Sequence, residues 1–232
     1  RLMAATPRQW DALPAAGFAF DVPEITRILD SVKFRAVFIC NPNNPTGQVL
    51  PNEVICAWAE AHPQTLLIGD EAYLAFVPGL ESVLSTGHAN LLVLRSMTKD
   101  YALAGLRLGY AAGDERLIQL LANVRPAWNV NALAQAAGLA ALHDEAHQQT
   151  TLAQLEQEKH FLLTGLTTLG FAPVPSQTQF FLVSVGNATI FRQNLLPQGI
   201  LVRDCTSFGL PNHIRISPRT HAENLRLMEV LK

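Results

Sequence analysis

Three short apolar runs constrain this chain more than any other feature, because each one stops abruptly at polar or turn-forming residues. Ala36-Val37-Phe38-Ile39-Cys40 stops at Asn41-Pro42, Leu66-Leu67-Ile68-Gly69 stops at Asp70, and Leu91-Leu92-Val93-Leu94 stops at Arg95-Ser96. Runs this short, β-branched or leucine-rich and bounded by turn residues, read as buried strands. Between the first two, Val54, Ala57, Trp58 and Ala61 recur at helical spacing within Asn52 to His62, and Pro63 supplies a stop. Apolar strands without polar alternation, separated by helices, predict an α/β fold with a largely covered sheet. A fourth strand is expected over Leu106 to Ala111, with a turn and a helix start at Gly113-Asp114.

The text changes character further on. From Asn129 to about Leu169 it is rich in Ala, Leu, Gln and Glu and predicts long helices, interrupted near Asp144. Short strands are then expected at Phe180 to Val185, Ile200 to Arg203 and His213 to Ile216, followed by a last helix from about Ala222. The expected organisation is therefore a large domain over 1–150 and a small α+β domain over 151–232, joined on a helix.

Composition excludes several classes. With 49% hydrophobic and 16% charged residues and a net charge of −2, the chain is not of the disordered type. A pI near 6.4 and the lack of a lysine or arginine block leave no electrostatic footprint for nucleic acid. No uninterrupted apolar segment approaches the length of a membrane span. Cys40, Cys56 and Cys205 are an odd, widely spaced set, expected as reduced thiols of a cytoplasmic protein. The opening Arg1-Leu2-Met3 is neither an initiator methionine nor a signal peptide, and the sequence reads as if cut from something longer.

Ligands of open α/β sheets bind at the C-terminal ends of the strands, and here those ends carry unusual residues. The first is Asn41-Pro42-Asn43-Asn44-Pro45-Thr46-Gly47, a loop stiff enough to present the Asn44 amide in one place. Asp70-Glu71-Ala72-Tyr73 follows the second strand, where the Asp70 carboxylate either caps a turn or serves a ligand. The third is Ser96-Met97-Thr98-Lys99, leading to Gly105-Leu106-Arg107-Leu108-Gly109. Lysine is scarce in this chain, and Lys99 alone follows a buried strand.

Taken together, these residues match the needs of pyridoxal phosphate. An imine-forming lysine must be partly desolvated so that its amine can be neutral. A pyridine ring that accepts electrons needs a carboxylate beside its nitrogen. Ser96, Thr98 and Arg107 can supply donors to a phosphate, and Asn44 and Tyr73 can donate to the ring oxygen.

Asn41 to Gly47, Asp70 to Tyr73 and Ser96 to Tyr110 resemble, in order and separation, the signature segments of fold-type I, class I and II pyridoxal phosphate aminotransferases. The resemblance implies that Lys99 holds the cofactor, Asp70 pairs with its ring nitrogen, and Asn44 and Tyr73 contact its ring oxygen. It further implies that Ser96 and Arg107 bind the cofactor phosphate. Gly199 to Cys205, Ile214-Arg215-Ile216-Ser217 and Glu223-Asn224 resemble the small domain of the histidinol-phosphate aminotransferase and threonine-phosphate decarboxylase branch. There Arg215 would clamp a substrate carboxylate with two parallel hydrogen bonds. The implied activity is amino-group transfer between an amino acid or amino-phosphate and a 2-oxo acid, in a homodimer. Lys99 would move the proton at the substrate α-carbon.

The sequence departs from that family in lacking its N-terminal arm, its glycine-rich phosphate turn and the aromatic residue that stacks on the ring. Gln179 stands where relatives commonly have asparagine. The rival expectations are a threonine-phosphate decarboxylase-like enzyme using the same lysine, and a silent fragment that kept the sheet but not the phosphate cradle. His143 and His147 lie one helical turn apart, but Glu145 is misplaced for a zinc-protease motif, and no metal site is expected.

Overall fold

The computed structural model describes residues 6–232, so the opening Arg1-Leu2-Met3 lies outside the described residues. In chain order the main elements are α1 (Val22–Ser31), β1 (Ala36–Cys40), α2 (Asn52–Ala61), β2 (Leu66–Asp70), β3 (Leu91–Ser96), β4 (Gly109–Gly113) and α3 (Glu115–Val124). They continue with α4 (Ala132–Leu142), α5 (Glu145–Thr168), β5 (Phe181–Ser184), α6 (Ala188–Leu195), β6 (Arg203–Asp204), β7 (His213–Ile216) and α7 (His221–Val230).

The first sheet has the order β1-β2-β3-β4, with β1, β2 and β3 parallel and β4 antiparallel to β3. Cys40 pairs with Asp70, and Asp70 with Leu94, so the three parallel strands end together on one rim. Helices α1 and α2 close one face through Leu29, Ile55 and Trp58, which pack on Ile39, Leu67, Leu91 and Val93. The other face is covered less than the apolar runs suggest. Phe38 alternates away from Ile39 and is 61% exposed. The expectation of a largely covered sheet is therefore corrected only at the β1 edge: in register with Phe38 on the same face, Ile68 is half-buried and Leu92 is buried.

The fourth strand also starts later than expected. Ala104–Leu106 form a 3-10 turn and Arg107 takes φ +56°, a left-handed conformation that strand pairing cannot accommodate, so β4 begins at Gly109. The break near Asp144 falls between α4 and α5, where its side chain accepts a hydrogen bond from the His147 amide at 3.2 Å and caps α5.

The second sheet, β5-β7-β6, is antiparallel. Leu162 and Leu166 of α5, with residues of α6 and α7, bury Phe181, Val183, Ile214 and Ile216 in a continuous core. Of the expected Ile200 to Arg203 strand only Arg203 pairs, and the pairing runs on to Asp204. Ile200 instead donates its amide to the Leu195 carbonyl, closing the end of α6 after Gly199 at φ +76°.

Candidate active site

The rim of the first sheet gathers the residues picked out by sequence. Leaving β1, Asn41 bridges its own loop: its side-chain amide donates to the Leu50 carbonyl at 2.9 Å, and its oxygen accepts from the Leu50 amide at 2.8 Å. Both residues are buried, so the bridge fixes the base of the loop that carries Asn44. Gly47, at φ +69°, closes the turn against Ser176. A Cβ there would lie 1.8 Å from the Ser176 hydroxyl, so only glycine fits.

At the end of β2, Asp70 is half-buried. Its Oδ1 accepts from the Ala72 amide at 3.0 Å, the local cap that sequence allowed, while Oδ2 takes no hydrogen bond from the described residues. Glu71 points the opposite way into the core. It accepts from the Val83 amide at 2.9 Å and pairs with Arg95 at 3.3 Å, tying the end of β2 to that of β3. Tyr73 is buried, and burial pushes its phenol up from the ordinary value against the lowering influence of Arg215. Near neutral pH it is therefore a protonated donor.

At the end of β3, the Ser96 and Thr98 hydroxyls are 2.7 Å apart, and Thr98 Oγ1 accepts from Lys99 Nζ at 2.7 Å. The Lys99 ammonium stands 5.7 Å from the centre of the Tyr73 ring. Lys99 is exposed, which corrects the expectation of a partly desolvated amine. It sits in a turn after β3, with the Thr98 hydroxyl and the Tyr73 ring as neighbours of its amine.

The second sheet supplies the other wall. Arg215 on β7 is half-buried and donates through Nη1 to Asn44 Oδ1. Its guanidinium lies 4.8 Å over the ring of Phe180, which meets Tyr73 edge-on at 4.9 Å. Asn44, Tyr73, Lys99 and Arg215 thus share one crevice, with Phe180 as its floor. Asp70 ends β2 on the same rim, in register with Cys40 and three residues before Tyr73. Burial is the main cause raising the Cys40 thiol, and Asp70 adds to it.

Arg107 is the one predicted residue that stands apart. It is exposed, and its left-handed backbone folds the guanidinium onto the Ala104 carbonyl at 2.9 Å rather than toward Ser96. Gln179 lies beside the crevice with its Oε1 buried and unpartnered among the described residues. His143 and His147 are exposed at the α4–α5 junction.

Sequence reading missed Phe180 and quoted Arg203 only as part of the Gly199 to Cys205 resemblance. Phe180 gives no signal, because an apolar residue before a strand is ordinary. Arg203 faces Arg215 directly across the β6–β7 pair, a placement visible only once the register is known. Directly opposed residues share a sheet face, and like charges there destabilise the pair unless an anion joins them.

Comparison with known proteins settles the family. The model of the aminotransferase class I and II family matches residues 1–231. The chain belongs to that family. A histidinol-phosphate aminotransferase of Symbiobacterium thermophilum is 38% identical over 226 residues, covering 95% of this chain and 62% of that protein. The solved histidinol-phosphate aminotransferase of Sinorhizobium meliloti, in complex with pyridoxal-5'-phosphate, superposes with a TM-score of 0.81 at 27% identity over 91% of this chain and 61% of that one. An L-threonine-O-3-phosphate decarboxylase of Porphyromonas gingivalis gives a TM-score of 0.76 at 29% identity, covering 84% of this chain and 63% of its own. The chain thus has the fold of pyridoxal phosphate aminotransferases while spanning about three-fifths of the length of its curated relatives. No helix of the described residues is long and apolar enough to cross a membrane.

Proposed function

We propose that the protein is a pyridoxal phosphate-dependent aminotransferase acting on an amino acid or amino-phosphate and a 2-oxo acid, in the manner of its histidinol-phosphate aminotransferase relatives. The observation that carries this reading is the shared crevice in which Lys99, Tyr73, Asn44 and Arg215 meet beside Asp70. Its donor set fits the cofactor: a carboxylate, an amine, a protonated phenol, an amide and a pair of hydroxyls. When bound, pyridoxal phosphate supplies an electron-accepting ring to the carbon that bears the substrate amine.

Each residue then has a physical task. Asp70 Oδ2, without a hydrogen bond from the described residues, would hold a proton on the ring nitrogen. Asn44 and Tyr73 would donate to the ring oxygen, and Ser96 and Thr98 to the phosphate. Arg107, which bonds the Ala104 carbonyl in this structure, would join them only if its guanidinium turned away from that carbonyl. Lys99 Nζ, held by the Thr98 hydroxyl, would carry the cofactor and afterwards take and return the proton at the substrate α-carbon. Arg215 would exchange Asn44 for a substrate anion and so fix which bond is broken. Arg203, in register with it on β6, is exposed, donates to the Ser207 hydroxyl at 2.9 Å and lies over the Phe208 ring, so Arg215 is the cation that the crevice itself presents.

The same reading places the domain boundary near residue 150. Within α5, Leu152 and Leu155 pack with Tyr73 and Phe180, whereas Leu162 and Leu166 belong to the core of the second sheet. Exposed apolar side chains on α3 and α4, among them Val124 and Leu133, support a homodimer. The three free cysteines suit a reducing cytoplasm.

The test is to supply pyridoxal phosphate and a phosphorylated amino substrate, and to follow pyridoxamine phosphate and CO₂ together. Pyridoxamine phosphate without CO₂ is the expected result, with Arg215→Ala lowering kcat/KM by roughly 10²-fold or more through loss of a charge-assisted clamp. CO₂ release would make the protein a decarboxylase, and the lack of both products would make it a silent relative.

A further inference from the structure

A buried lysine remote from the rim is unused by this chemistry. The inward face of α5 carries Lys159, Leu162 and Leu166 at helical spacing. The two leucines are fully enclosed, and Lys159 is only 6% exposed, so an ammonium occupies a position where packing alone would place an apolar residue. A buried ammonium needs acceptors. Its nearest carboxylate, Glu156 at 3.8 Å, is itself 63% exposed and a weak partner. The closer contact is to a main-chain carbonyl, that of Ser176, at 3.1 Å.

That carbonyl belongs to the irregular segment leading into β5, and the segment is stitched to the crevice. The Gln177 amide donates to the Gly47 carbonyl at 2.9 Å, and Gln48 Nε2 donates to the Pro175 carbonyl at 2.7 Å. The Ser176 and Thr178 hydroxyls both donate to the Phe180 carbonyl. Phe180 in turn forms the floor beneath Arg215 and the edge contact to Tyr73. A charge-assisted bond from the helix thus anchors the segment that holds the Phe180 ring and the Asn44 loop at a fixed separation.

We infer that Lys159 is a positioning residue for the anion-binding arm of the site: through the Ser176 carbonyl it sets Phe180 beneath Arg215, and so sets the affinity for the substrate's anionic group. This inference rests on the assignment of Arg215 as the anion clamp. Lys159 touches neither substrate nor cofactor, so it acts on binding and not on the proton transfer at Lys99.

The experiment uses the intact protein loaded with pyridoxal phosphate, which fills the cofactor's own phosphate cradle, and titrates inorganic phosphate as the probe. Lys159→Met keeps the apolar stem without the charge. It is expected to raise the phosphate dissociation constant and the donor KM roughly tenfold, with kcat and the cofactor absorbance band unchanged. Lys159→Arg, which restores a cation, is expected to recover affinity to within about twofold of wild type. Wild-type phosphate affinity in Lys159→Met, even with a lowered melting temperature, would overturn the proposal and leave Lys159 a packing residue. Should Lys159→Met not fold, Lys159→Gln, which keeps a donor but no charge, is read by the same titration. Severalfold weaker phosphate binding is expected there, and unchanged binding overturns the proposal. Arg215→Ala separates the two levels of the argument. Phosphate binding sensitive to Arg215→Ala but not to Lys159 overturns this inference alone, while binding indifferent to Arg215→Ala overturns the anion-clamp assignment and this inference with it.

Discussion

The two sheets of this molecule enclose their apolar surface to very different degrees. In the second sheet Phe181, Leu182 and Val183 are at most 1% exposed; α5, α6 and α7 complete the core around Phe181 and Val183, and Phe18 and Cys205 enclose Leu182 on the other face. The first sheet and the helices that follow it leave Phe38, Val124 and Leu133 exposed, the last two by 77% and 75%. The crevice lies where the closed half meets the open one. Arg215 stands on β7 of the closed sheet with Phe180 just ahead of β5, and Lys99 stands in an exposed turn of the open half. On the proposed reading, such a site would hold its anion-binding arm on the closed half and its amine on the open one.

The sharpest way to break this comparison is to remove equivalent aromatic rings from the two halves. Phe181→Ala is expected to destabilise the protein by about 3–5 kcal/mol, because the cavity it leaves is sealed on all sides. Phe38→Ala is expected to fall within about 0.5 kcal/mol of wild type. Denaturant melts of the two variants decide the matter, and equal losses would mean that both halves are equally closed.

A smaller effect is expected at the seam. Gly47→Ala combines a left-handed backbone, at roughly 1–2 kcal/mol, with a collision at Ser176, at about 1–3 kcal/mol. The damage should reach function as well as stability, since Gly47 also accepts the Gln177 amide. Chemical denaturation gives the first quantity and phosphate titration the second. A variant as stable as wild type and unaltered in phosphate binding would show that the two loops are not mechanically joined.

The smallest effect tests the open half alone. Burial pushes the Asp100 carboxyl up from its ordinary value, and its Oδ1 has no partner among the described residues. A carboxyl raised in the folded state favours folding fully only below its unfolded value near 3.8, and that favour is lost as pH rises through the folded value. Asp100→Asn is therefore expected to melt slightly higher than wild type at pH 7, with the gap closing below about pH 4. A lower melting temperature at pH 7 would mean that the charge of Asp100 is used by Arg95 rather than borne at a cost.

How legible all this was in the sequence follows from what kind of information each feature needs. The three parallel strands are read directly from apolar runs stopped at Asn41, Asp70 and Arg95-Ser96, because burial and turn chemistry are local. The caps at Asp114 and Asp144 are equally local. Helix α1 is just as local, with Asp21 as its cap, Pro23 in its first turn and Val22, Ile25 and Leu29 at helical spacing, although it is not among the elements expected from sequence. The late start of β4 depends on the left-handed Arg107, which an arginine does not advertise. Among the site residues, strand ends placed Asn44, Asp70, Tyr73, Ser96, Thr98 and Lys99 on one rim in advance. The pairing of Arg215 with Asn44, the Phe180 floor and the opposition of Arg203 to Arg215 depend on contacts between distant segments. No local pattern encodes those.

The central claim is that Lys99 is the residue that holds pyridoxal phosphate in this crevice. The most direct measurement is to incubate the protein with the cofactor, reduce with borohydride, digest and locate the modified peptide by mass spectrometry. The account predicts a single pyridoxyl group on Lys99, absent from the Lys99→Ala variant. A group spread over surface lysines such as Lys33 and Lys232, or no group at all, would contradict it.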